Sequence, residues 1–199
     1  MHSFLKLPFL SAGMLLSVTA VAGITTGIDE SAKLPFWEWN DQSVSLRLVQ
    51  RLPEQSIGFF MARKFSMENA VLIANNCMFQ TVFKNISEAS MPVLVEYNLN
   101  EWNIIFDGKT QKPKTRENWL EVWKNKNIDP SSKIAFEWAL MPTIQKYQQG
   151  DYNWGMTSFG LPPGTVFNLQ GKILVNNEIV IINIPSIQCA PDIHMEPEI

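Results

Sequence analysis

The chain has 199 residues, 46% of them hydrophobic, and its 16 basic residues against 19 acidic ones give a formal net charge of −3. That mild acidity argues against nucleic acid or an anionic membrane surface as partner. Two histidines and two cysteines leave little material for hydrolytic triads or multi-ligand zinc sites.

The N-terminus pairs one basic residue, Lys6, with an apolar run through Leu16 and a small-x-small site at Ala20-Val21-Ala22. This pattern predicts a secretory signal peptide over residues 1–22, interrupted by too many small and polar residues to make a comfortable membrane span. No cysteine follows the run, so a lipobox anchor is not expected. Removing residues 1–22 leaves 177 residues and takes away Lys6 but no acid, moving the charge from −3 to −4. No second long apolar segment follows, so no transmembrane segment is expected after cleavage. The expected destination is the periplasm or the extracellular space.

Residues 23–36 read as a polar, flexible leader, and a single domain is expected over 37–190. In "SVSLRLVQRL" the alternation of Val44, Leu46 and Leu48 with Ser45 and Arg47 suggests a strand, with a helix as the alternative. Pro53 opens a helix that carries Ile57, Phe60, Met61 and Phe65 on one face. Ser66 caps a second, striped by Ala70, Ile73, Ala74 and Cys77. Periodicity then changes to two in "CMFQTVF" and "VLVEYNLNEWNIIF". One inserted helix starts at Thr115 and carries Trp119 and Trp123. "KIAFEWAL" reads as a strand with Ile134, Phe136, Trp138 and Leu140 on its buried face. The last two strands flank Asn176-Asn177, residues that tolerate the positive φ of a tight hairpin turn. Residues 191–199 are expected to be a flexible acidic tail. The expected fold is mainly β (α+β): an antiparallel, Ig-like β-sandwich, with two N-terminal helices capping one end and one inserted helix.

Cys77 and Cys189 form an even pair in a chain expected to enter an oxidising compartment, so one disulfide is predicted. Closing that 112-residue separation is worth about 4 to 5 kcal/mol in chain entropy.

No catalytic motif is present. Once the signal peptide is gone the sole histidine is His194, in the tail. Glu96, Glu137 and Asp151 are the acids that could support carboxylate chemistry if two of them met. Asn85-Ile86-Ser87 matches a glycosylation sequon. Seven tryptophans make the composition unusual. Tyr152, Trp154 and Met156 alternate along "GDYNWGMTSFGLPPG", which puts all three on one side if the segment is extended. With Trp39 they are the expected ligand-binding residues, whereas Trp138 is expected in the core. Met156, His194 and Met195 are weak candidates for soft-metal binding, copper above all.

These features support an exported, disulfide-stapled, non-enzymatic binding or accessory protein of the cell envelope that contacts a protein partner through aromatic loops. The competing readings are a carbohydrate or small-ligand binder using tryptophan platforms, a copper-binding or delivery protein, and a carboxylate enzyme.

Overall fold

Alternating apolar residues give this chain strands that bury one face, and the computed structural model, which describes residues 22–192, pairs them into two packed antiparallel sheets. The expected signal peptide, apart from Ala22, and residues 193–199 of the expected tail lie outside the described residues.

The first sheet has the order β1-β2-β3-β4-β9, formed by Gly23–Ile28, Pro35–Asn40, Val44–Gln50, Met78–Asn85 and Tyr152–Ser158. The second is ordered β7-β6-β10-β5-β8, formed by Lys109–Gln111, Asn103–Phe106, Val166–Val175, Val95–Asn98 and Ile144–Tyr147. β11, Glu178–Gln188, pairs with β10 along its length. The other edge of β10 is therefore shared, with Asn168–Gln170 meeting β6 and Ile173–Val175 meeting β5. Asn176 and Asn177 close the β10–β11 hairpin with φ of 49° and 67°, the left-handed geometry their side chains tolerate.

Between the sheets lies the larger core, where Leu46, Leu48, Phe83, Tyr97, Trp102, Phe159 and Phe167 are buried. Gly171 is required there, because a Cβ at that position would sit 3.1 Å from the Trp102 ring. Cys77, just before β4, and Cys189, just after β11, are joined by the predicted disulfide, which ties the two sheets together.

Four helices make a further layer: α1 Pro53–Met61, α2 Met67–Ala74, α3 Arg116–Trp123 and α4 Pro130–Ala139. Their caps follow the sequence: Pro53 and Pro130 open α1 and α4, and the Ser66 and Thr115 hydroxyls accept from Asn69 N and Asn118 N. Rather than capping one end, the helices pack on the outer face of the first sheet. There Phe60, Phe65, Trp119, Trp123, Phe136 and Leu140 enclose Met78 and Met156, which point outward from β4 and β9. Met61, expected on the buried face of α1, is 42% exposed.

Three expectations need correction. "KIAFEWAL" is helical, because Asp129 accepts from Ser131 N as N-cap and Pro130 follows it, so α4 extends through Ala139. Its two-residue alternation is also compatible with a helix whose Ser132–Phe136 row is buried and whose Ile134–Trp138 row is not. There are consequently two helices, not one, between β7 and β8. The leader contributes β1, whose residues pair with β2 from Gly23↔Asn40 to Ile28↔Pro35.

Candidate functional site

Strand alternation fixes which side chains decorate the outer face of the first sheet. Thr25, Glu38, Arg47, Val82 and Trp154 lie in register across its five strands, and Phe36, Val49, Gln80 and Met156 form the neighbouring row. The helices cover only part of this face. What they leave open is a pair of adjoining grooves with Trp154 and Gln80 as their common wall. One groove runs beside Asp29, Arg47, Arg51 and Gln55, and the other between Phe59 and Arg63 on one side and Ile134 and Trp138 on the other.

The chain around Trp154 is shaped for this placement. Gly155 carries no Cβ, and one added there would lie 3.2 Å from Met141 N and 3.3 Å from Ala139 O. That close approach lets the segment leaving α4 dock on β9, where Met141 N donates to Met156 O at 2.8 Å. It thereby sets Trp138 on the same groove as Trp154. Trp138 is 81% exposed, Trp154 66% and Ile134 57%, whereas an apolar side chain of this size is ordinarily well covered.

Three arginines border the grooves, and they are not equivalent. Arg47 lies over the Phe36 ring and is neutralised from both sides, by Asp29 at 2.9 Å and Glu38 at 2.6 Å. The Ala32 amide first, and then the Arg47 guanidinium, hold the Asp29 carboxyl below the usual carboxylate range. Arg51 and Arg63 share a different ring, Phe59, with their guanidinium carbons 5.1 and 3.3 Å from its centroid. Their described hydrogen bonds go only to backbone carbonyls, Gln55 O and Phe59 O, and among the described residues neither has an ion pair. The Nε of Arg51 is buried with no hydrogen-bond partner among the described residues. Burial, and after it the nearby charge of Arg63, pushes the Arg51 pKa down.

The expected binding residues separate. Tyr152 and Trp154 are exposed, at 64% and 66%, and only Trp154 lines the grooves. Trp39, expected at the surface, is 3% exposed in the core between the sheets, because the odd-numbered residues of β2 face inward. Met156 lies on the same side of β9 as Trp154, as its spacing predicted, but the helical layer covers it to 3%. Trp138, expected in the core, is instead the most exposed tryptophan.

Met156 is thus packed among Phe60, Phe65 and Phe136, while His194 and Met195 lie outside the described residues. Among the described residues no group of three or more histidines, cysteines or acids is close enough to hold a metal. The three acids are dispersed. Glu96 pairs with Lys146 at 2.8 Å, Asp151 accepts from Gln148 N at 2.8 Å, and neither groove is lined by these two or by Glu137 on α4. Asn85 of the sequon is fully buried, its amide donating to Val93 O and Tyr147 O, so it is sealed from modification in the folded state.

Sequence reasoning missed Ile134, Trp138, Phe59, Arg51 and Arg63. The signal for the first two was Asp129-Pro130, a helix start that turns their spacing of four into one outward row. The arginines had no signal, since Arg51 and Arg63 meet on one ring only through the turn of α1. No family model, no curated protein and no solved structure matches the chain.

Proposed function

We propose that this is an exported, non-enzymatic binding protein that docks a protein partner on the outer face of its first sheet, in the grooves around Trp154. The observation that carries the reading is the exposure of Trp138, Trp154 and Ile134 on one groove, with Arg63 at its border. Tryptophan and arginine are the residues most often found to dominate protein interfaces, and an apolar helix row facing an apolar strand residue offers a pocket for an anchor side chain. The contact surface belongs to a helix and a strand, where the sequence pointed to loops, and it is pre-formed by packing. Among the neutral amides here, Gln80 already donates to Gly155 O and Gln50 to Gln188 O. The donors left open on the grooves are the charged guanidinium groups of Arg51 and Arg63, which suit an anionic group better than neutral sugar hydroxyls and so favour a protein partner. The disulfide suits an oxidising compartment, and no helix among the described residues is long and apolar enough to cross a membrane.

The test is a paired capture experiment on envelope extract of the source organism, with the wild-type chain and a Trp138→Ala/Trp154→Ala variant as baits. A protein retained by the wild type and lost by the variant is the expected result. Equal retention by both baits, or no retained protein, would refute docking at this face.

A further inference from the structure

Arg47 and the Arg51–Arg63 pair pose one problem with two solutions. Each guanidinium lies near a phenylalanine ring, Phe36 or Phe59, at the floor or rim of the same pair of grooves. Arg47 receives two carboxylates from its own chain. Arg51 and Arg63 receive none from the described residues, although both guanidinium carbons lie within 5.1 Å of one ring centroid and their like charges act on each other. A carboxylate between them would relieve that repulsion and satisfy N–H groups that the described residues leave open, including the buried Nε of Arg51. Among the described residues the only acid lining either groove, Asp29, is committed to Arg47. The grooves therefore carry local positive charge on a chain whose net charge is −3.

We infer that the partner segment is acidic, placing an Asp or Glu carboxylate on Arg51 and Arg63 while an adjacent apolar side chain enters the groove between Trp138 and Trp154. This rests on the docking reading and adds the chemistry of the occupant. The two halves have separate duties: the tryptophan groove supplies apolar anchorage, and the arginine pair selects for charge and fixes the register of the segment.

The probe is a displayed library of random dodecapeptides, selected on the wild-type protein and in parallel on Trp154→Ala and on Arg51→Gln/Arg63→Gln. All three substituted side chains are at least partly exposed, and near-UV circular dichroism and thermal melts verify that each variant is folded. Wild type is expected to enrich peptides with Asp or Glu close to an aromatic or aliphatic residue, and Trp154→Ala to lose them. The arginine variant should bind the enriched peptides about ten- to a hundredfold more weakly, with much less effect on their Asn or Gln counterparts. Trp154-dependent peptides with no acidic bias, or with affinity unchanged in the arginine variant, would overturn the inference while leaving the docking face in place. An absence of Trp154-dependent peptides would overturn both.

Discussion

Phe136 and Trp138 stand two residues apart on α4 and belong to opposite worlds. Phe136 is 1% exposed, with the rings of Phe60, Trp119, Trp123 and Phe65 centred 5.3 to 6.0 Å away, whereas Trp138 is 81% exposed on the groove. A helix turns by about 100° per residue, so two steps carry a side chain to nearly the opposite face. The comparison shows that the aromatic excess of this sequence serves two purposes. One set of rings fastens a helical layer to the sheet, and the other is left uncovered.

If that division is correct, the two sets differ most in what they contribute to stability. Phe136→Ala should destabilise the fold by about 3 to 5 kcal/mol, since it empties the centre of a packed aromatic cluster. Urea denaturation gives the value, and a loss below about 1 kcal/mol would mean that the helical layer is not held through this ring.

A third group of aromatics, in the core between the sheets, sharpens the contrast because it can ionise. Tyr97 is 3% exposed and donates to Pro142 O at 3.0 Å, and burial pushes its pKa up to about 12. The buried Tyr147 beside it is shifted in the same direction, also by burial. A tyrosine that holds its proton more tightly when folded contributes nothing to pH dependence below its unfolded value near 10. Above that the unfolded state loses its proton first, and stability falls as pH rises towards the folded value. For Tyr97 the fall amounts to about 2 to 3 kcal/mol between pH 10 and 12. Melting temperatures across that range should drop steeply and drop less in Tyr97→Phe; a flat profile would show that the pair is open to solvent.

Much of the sandwich was legible because its signals are local and consistent. Alternation gave β3, β4 and β5, paired asparagines gave the β10–β11 turn, and the lone cysteine pair gave the disulfide, whereas the segment that forms β9 read as a loop. The site was legible only in part. Spacing put Trp154 on one side with Tyr152 and Met156 if their segment is extended, but spacing does not say which outward residues a second layer will cover. Met156 shares that face and is buried because α1 and α4 happen to reach it, while Trp154, two residues earlier, lies beyond their edge. The Ile134–Trp138 row was hidden for another reason: its residues fit a period of two as well as one of four, and only the cap before them separates the cases. The arginine pair had no local signature at all, being assembled by the turn of α1 around a single ring.

The smallest expected effect is the most diagnostic. Trp138→Ala and Trp154→Ala should each change stability by less than about 0.5 kcal/mol, because neither exposed ring leaves a cavity when removed. Yet the pair should dominate the optical response of the surface. The other five tryptophans, Trp37, Trp39, Trp102, Trp119 and Trp123, are 0 to 9% exposed. Acrylamide should therefore quench the wild type in two phases, an accessible one and a resistant one. The double variant should keep only the resistant phase and emit further to the blue, at an unchanged melting temperature. If it instead melted well below the wild type, the two rings would be carrying packing energy. The face they occupy would then have to be read as an outlying part of the core, and its exposure could no longer serve as the mark of a docking surface.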